Sequence, residues 1–245
     1  MSTFAEIHTD GLEFGYSSHS AVIRGLSVAF GPGRTVLLGP NGAGKSTLLR
    51  LMCGLLRPQR GTVSLAERAR PPKQLAREVG FMPQDVAPLS GLSVLEAVQY
   101  AAWLGGASGA AARTAAAGAL VAVGLQEQLN QKSTRLSGGQ LRRLGLACAL
   151  TRTGQVLLLD EPTAGLDPAQ RYRFREVLAE LPPELTVVVS THQLDDVEDI
   201  YDQVRVIARG QLRWQGTPDE LLALAPGRTR QQAEEAYLAL VGEDG

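Results

Sequence analysis

The chain is poor in cysteine, in net charge and in long apolar runs, and each shortage excludes something. Its two cysteines, Cys53 and Cys148, lie far apart in apolar helical contexts, so buried, reduced thiols of a cytosolic protein are expected rather than a disulfide framework. A net charge of -1 gives no electrostatic reason to expect nucleic acid. No run of about 18 apolar residues occurs, so nothing here spans a bilayer; if a membrane is involved, another chain supplies it. The first residues carry Glu6 and Asp10 and no apolar core, so no signal peptide is expected. There is no internal repeat and no linker. The 245 residues, 44% apolar and 20% charged, suit an ordinary soluble domain, alone or with one subdomain.

The most informative stretch is Gly39-Pro40-Asn41-Gly42-Ala43-Gly44-Lys45-Ser46-Thr47. It fits G-x-x-x-x-G-K-[ST], a phosphate-binding P-loop. Thr35–Leu38 before it reads as a short buried strand, and Thr47–Met52 after it as a helix with its apolar side inward. The glycines let successive N–H groups curl into one concavity, and the helix N-terminus adds its dipole. Lys45 reaches the outer phosphates and the Ser46 hydroxyl suits Mg²⁺.

Around this loop the chain alternates between strand and helix. Gly11–Tyr16 and Ala21–Phe30 read as short strands broken by Gly and Ser. Tyr16 suits stacking on a purine base or a place in a hairpin core, and the residues alone support both. Thr62–Leu65 and Val79–Met82 are further strands, the latter followed by Pro83-Gln84. From Val86 to Ala112 the only charged residue is Glu96. Leu92–Leu104 there reads as a helix with Ser93 as N-cap, and Ala107–Ala122 as an Ala-rich helix. This stretch is either a plain helical bundle or a surface that docks onto a partner. In Leu136-Ser137-Gly138-Gly139-Gln140 a helix begins. The Ser137 hydroxyl and the Gly138 and Gly139 N–H groups make either a cap or a second anion site.

Gln155–Asp160 is a continuous apolar run ending in acids, a buried parallel strand with carboxylates at the sheet edge that binds ligands. Asp160 fits the Mg²⁺-holding acid, and Glu161 is placed to take a proton from an attacking water. Asp167 caps a charged helix over 169–181. Thr186–Thr191 is another buried strand, and His192 at its end is in line to reach a terminal phosphate. A helix over 194–201, a strand over 204–208, a turn at Arg209-Gly210 and a helical tail from Pro218 complete the reading.

Together these motifs resemble the nucleotide-binding subunits of ATP-binding-cassette (ABC) transporters, over about Leu12 to Leu222. Gly39–Thr47 matches Walker A, Gln84 the Q-loop glutamine and Leu136–Gln140 the LSGGQ signature in full. Val156–Asp160 with Glu161 matches Walker B and the catalytic glutamate, Ala164–Asp167 the D-loop and His192 the switch histidine. Tyr16 falls where the family places its adenine-stacking aromatic. The resemblance implies an α/β fold, a P-loop NTPase (RecA-like) core with an antiparallel β subdomain (about 1–85 and 154–225), an inserted α-helical subdomain (about 86–153) and a helical tail (about 218–245). It implies ATP and Mg²⁺ as ligands, with Ser46, Gln84 and Asp160 toward the metal and Lys45, Glu161 and His192 catalytic. It also implies a head-to-tail dimer, homomeric or heteromeric, in which Ser137–Gln140 of one subunit completes the ATP site of the other. A separate transmembrane permease would hold the chain on the cytoplasmic face of the membrane. Length and the segment after Gln84 look most like bacterial export-type systems for drugs or antibiotic peptides. The rivals are a soluble ABC ATPase acting on a non-transport target and a regulatory ATP-binding module without turnover.

Overall fold

The structure, a computed structural model, describes residues 6–17, 20–152, 154–194, 197, 200–224 and 230–242. It begins with a hairpin of β1 (Ile7–Ser17) and β2 (Ser20–Phe30). Both strands run longer than the broken alternation suggests. Gly11 and Gly25, at φ +55° and +62°, sit where the pairing register shifts, so these glycines make bulges and do not end the strands. The hairpin joins β4 (Arg60–Leu65) and β5 (Arg68–Ala69) in an antiparallel sheet of order β2-β1-β4-β5.

The second sheet holds β3 (Gly33–Leu38), β6 (Val79–Met82), β7 (Val156–Asp160), β8 (Thr186–Thr191), β9 (Gln203–Ala208) and β10 (Gln211–Gly216). Its order is β10-β9-β3-β8-β7-β6. All neighbours pair in parallel except β10 and β9. Period-2 alternation sends its side chains into two cores. Leu37, Leu158, Val188 and Ile207 meet the antiparallel sheet and helix α1 (Lys45–Met52). Val36, Leu38, Leu157, Leu159, Val187 and Val189 face the other way. There they meet residues of α3 (Val94–Leu104), α4 (Gly109–Ala122), α5 (Gly138–Leu150) and α6 (Pro168–Ala179). Covered on both faces, β3, β7 and β8 carry the unbroken apolar stretches Val36–Leu38, Val156–Leu159 and Val187–Val189, and each fully buried Val or Leu stabilises by about 1.5–3 kcal/mol.

Helix α3 starts at a capping box in which Ser93 Oγ accepts from Glu96 N–H and Glu96 accepts from Ser93 N–H. Helix α4 buries Ala112, Ala116, Ala119 and Leu120, a stripe of small residues that lets it lie close on α3 and α5. Arg143 of α5 closes its far end by donating to the carbonyls of Val123 and Gly124. Helix α2 (Pro72–Glu78) fills the stretch between β5 and β6. Helices α7 (Pro218–Ala223) and α8 (Arg230–Val241) form the tail. Half of the helix expected over 194–201 lies outside the described residues. Cys53 is buried, but Cys148 is only partly so, which corrects the expectation for the second thiol. It lines a groove between α3, α5 and the end of β6, and desolvation there still pushes its thiol up to about 12.

Candidate functional site

Strand order assembles the site. Strands β3, β8 and β7 are neighbours, Leu38 pairs with Thr191, and Ser190 pairs with Asp160. The residues that follow each strand, Gly39, His192 and Glu161, therefore leave the same carboxyl edge side by side. Between β3 and α1 the loop turns through Gly42 and Gly44 at φ +79° and +103°. Gly39 passes so close to β9 that a Cβ would sit 2.3 Å from the Ile207 carbonyl oxygen. A side chain at these positions would push the loop out of its curl.

A cleft of about 560 Å³ opens here. Tyr16, Asn41 to Thr47, Gln84, Glu161 and His192 line it, with Val22 and Ala164. Tyr16 is 61% exposed; its hydroxyl lies 3.3 Å from Thr47 Oγ1 and its ring meets Phe14 edge to face. Phe14 packs against the core, so of the two aromatics only Tyr16 lines the cleft. Lys45 is 5% exposed and donates to the carbonyls of Gly39 (2.7 Å) and Pro40 (3.1 Å). Its Nζ is 3.7 Å from Glu161 Oε1. Burial lowers the Lys45 pKa, and the Glu161 and Asp160 charges oppose that shift.

Behind the cleft, Asp160 is fully buried. Its Oδ1 accepts from the hydroxyls of Ser46 and Ser190, both at 2.8 Å. Ser190 Oγ also accepts from Glu161 N–H at 3.0 Å. Glu161 itself sits at φ +44°, a region costly for a residue with a Cβ, and this hydrogen bond helps to hold it there. The turn aims both Glu161 carboxylate oxygens at His192 Nδ1, 3.1 Å away. Ser190 was not among the residues read as functional. A buried Ser in an apolar strand has no signature until the register shows which acid it faces.

Asp160 Oδ2 is buried with no hydrogen-bond partner among the described residues. An unmatched carboxylate oxygen beside the Ser46 hydroxyl fits a hard cation such as Mg²⁺, which takes one or two protein oxygens together with phosphate and water. Among the described residues no group of three or more His, Cys, Asp or Glu is placed to hold a metal ion by itself.

The signature residues are not brought to this cleft. Ser137 caps α5, accepting from Gln140 N–H while Gln140 Oε1 accepts from Ser137 N–H. Ser137 and Gly138 are exposed and do not line the cleft of their own chain.

Comparison with known proteins gives the family. The family described as "ABC transporter" matches residues 23–164. An uncharacterized ABC transporter ATP-binding protein of Bacillus subtilis, YxlF, is 38% identical over 76% of this chain, which spans 62% of that relative's length. The energy-coupling factor transporter ATP-binding protein EcfA2 of Lactiplantibacillus plantarum is 44% identical over 76% of this chain and 67% of its own. Among solved structures, cbiO1 from Clostridium perfringens, part of the ABC transporter complex cbiONQ, superposes with a TM-score of 0.80 at 27% identity, covering 95% of this chain and 94% of that one. The fold is that of a P-loop NTPase, and the chain belongs to the ABC transporter family as one of its ATP-binding domains.

Proposed function

We propose that the chain hydrolyses ATP and couples ATP-driven closure of a dimer to substrate movement through a separate transmembrane chain. The observation that carries this is the grouping of Lys45, Glu161 and His192 at one mouth of the P-loop cleft, with Glu161 held 3.1 Å from His192 and 3.7 Å from Lys45. In this reading Tyr16 stacks on adenine, and the loop amides with Lys45 and Thr47 hold the phosphates. Ser46, Gln84 and Asp160 hold Mg²⁺, which when bound supplies positive charge to the phosphate oxygens. Glu161 takes the proton of a water whose oxygen bonds to the γ-phosphorus, while the bond from that phosphorus to the ADP oxygen breaks. Lys45 meets the charge that develops, and His192 orients the Glu161 carboxylate and reaches the γ-phosphate. Most of the rate comes from positioning and charge stabilisation.

The exposed signature turn supports a head-to-tail dimer in which Ser137–Gln140 of one subunit reaches the γ-phosphate held by the other. Loss of that phosphate removes the bridge and shifts the pair to an open state. The chain then has two lobes, a nucleotide-binding core and a helical lobe of about 86–153. The docking face is the groove beyond Gln84. Phe81, Val86, Leu89, Tyr100, Leu104 and Leu144 line it, and Tyr100, Trp103 and Leu104 are exposed beside it. No helix among the described residues is long and apolar enough to cross a membrane, so the partner supplies the span and holds this chain at its cytoplasmic face. A phosphate-release assay tests turnover. Glu161→Gln is expected to abolish turnover and to trap an ATP-bound dimer on gel filtration; a monomeric variant with normal turnover would refute the role of Glu161.

A further inference from the structure

One cation outside the cleft touches its wall. Arg142, on the second turn of α5, donates from Nη2 to the carbonyl oxygen of Ala164 at 3.2 Å. Ala164 lines the cleft beside Glu161 and His192, and its N–H donates to the Glu161 carbonyl at 3.2 Å. Arg142 Nη1 is buried without a hydrogen-bond partner among the described residues. The guanidinium is half-buried, and leaving its Nη1 donor unmet costs free energy that the Ala164 bond helps to offset.

The loop it holds is restrained again on its far side. Arg171 of α6 donates from Nε to the Leu166 carbonyl (3.1 Å) and from Nη1 to Gln193 Oε1 (3.2 Å), the residue after His192. The first turn of α5 also presses on α6: a Cβ at Gly139 would lie 2.0 Å from Gln170 Oε1. One helix therefore carries the signature turn at its N-terminus and, one turn later, a grip on the wall of the cleft. Residues 138 and 142 are four apart and share a helix face, so a shift of Ala164 bears on the same side of α5 that presents Gly138.

We infer that Arg142 is a positioning residue that links the two ATP sites of the dimer. This rests on the paired-site reading above. There, the signature turn of a chain serves its partner's ATP while Ala164 borders its own. The Arg142–Ala164 bond thus joins the helix that carries the signature turn to a wall residue of the chain's own cleft. Occupancy and hydrolysis at one site bias the α5 turn that completes the second. Coupling between sites in proteins is commonly about 5- to 150-fold in affinity.

The test is steady-state phosphate release against ATP concentration for the full chain, with binding of a non-hydrolysable ATP analogue measured alongside. Arg142→Met keeps most of the side-chain stem and removes every donor. The expected result is a Hill coefficient that falls from near 2 toward 1 and a turnover about tenfold lower. Analogue affinity of the monomer should stay within about twofold, because Arg142 is not in the cleft. Arg142→Lys, which keeps one donor, should recover most of the cooperativity; a merely structural arginine would not separate Hill coefficient from affinity in this way. If the Met variant does not fold, Arg142→Gln, polar but too short to reach, replaces it. A cooperative wild type with equally cooperative Met, Gln and Lys variants overturns the role of Arg142 alone. A wild type that turns over ATP hyperbolically overturns the paired-site reading, and the inference with it.

Discussion

Removing one hydroxyl, with Ser190→Ala, tests whether the back of the site is built as described. Ser190 is fully buried and its Oγ makes two bonds, one to Asp160 Oδ1 at 2.8 Å and one from Glu161 N–H at 3.0 Å. Alanine leaves the rest of the strand unchanged and deletes both. The first is a hydrogen bond to a carboxylate, worth about 1.5–3 kcal/mol; the second leaves a part-buried N–H unmet, at about 1–3 kcal/mol. The two share one atom and do not add in full, so about 2–4 kcal/mol of unfolding free energy should be lost, read as a lower urea midpoint at unchanged slope. The larger claim concerns activity. Glu161 sits at φ +44°, and a residue there relaxes once its hold is released. A carboxylate that drifts from its 3.1 Å contact with His192 is no longer aimed at the attacking water. Phosphate release should fall about 10- to 100-fold, equivalent to roughly 1.4–2.7 kcal/mol, with ATP affinity nearly unchanged because the loop amides and Lys45 are untouched. Ser190→Thr keeps the hydroxyl and should recover much of the rate, at about 1–3 kcal/mol of stability for the added methyl. A Ser190→Ala variant with wild-type turnover would refute the reasoning, since Glu161 would then hold its conformation without this bond.

Three further outcomes follow from the geometry of the cleft and the core. Gly44→Ala places a Cβ at φ +103° and 2.9 Å from Ile23 Cδ1; ATP affinity measured by fluorescence titration should collapse, with a stability loss of about 1–3 kcal/mol, and binding within threefold of wild type would contradict the assigned loop geometry. Tyr16→Ala should weaken ATP about 5- to 30-fold through lost stacking, whereas Tyr16→Phe, which gives up only a 3.3 Å contact to Thr47, should stay near wild type; equal losses would assign the effect to the hydroxyl. Desolvation raises the Cys53 thiol to about 11 against an ordinary value of 9.0, so the thiolate fraction at pH 8 drops about a hundredfold. Iodoacetamide should label Cys53 in the native protein about a hundred times more slowly than in urea, the rate rising with pH toward 11; equal rates would show that the thiol is not buried.

The features legible in the sequence share one property: their meaning is carried by neighbours along the chain. The P-loop needs only the order of Gly39 to Thr47. The fully buried strands β7 and β8 announce themselves because both faces are covered and, up to Asp160 at the end of β7, every residue is apolar or a Ser or Thr. The capping boxes at Ser93 and Ser137 close within four residues. Helix α2 was not legible because Leu75 is its one buried residue, so it has no period, and Pro71-Pro72 reads as a loop. Ser190, Arg142 and Gln170 were missed for a different reason. Each acquires its role from a partner 20 or more residues away: Ser190 from Asp160 across a parallel register, Arg142 from the Ala164 carbonyl and Gln170 from the bare Cα of Gly139. A backbone carbonyl and an absent side chain have no letter of their own. The same contrast explains why the cleft gathers Lys45, Glu161 and His192 but leaves Ser137–Gln140 outside. The three ends of β3, β7 and β8 are adjacent by strand order, whereas α5 starts from a connection that no strand anchors. A sequence motif can thus be intact and still lie apart from the P-loop cleft of its own chain, and in the paired-site reading proposed above a turn so placed serves a second molecule. That is why oligomeric state in ATP, more than nucleotide affinity, decides whether the signature turn and the P-loop belong to one mechanism.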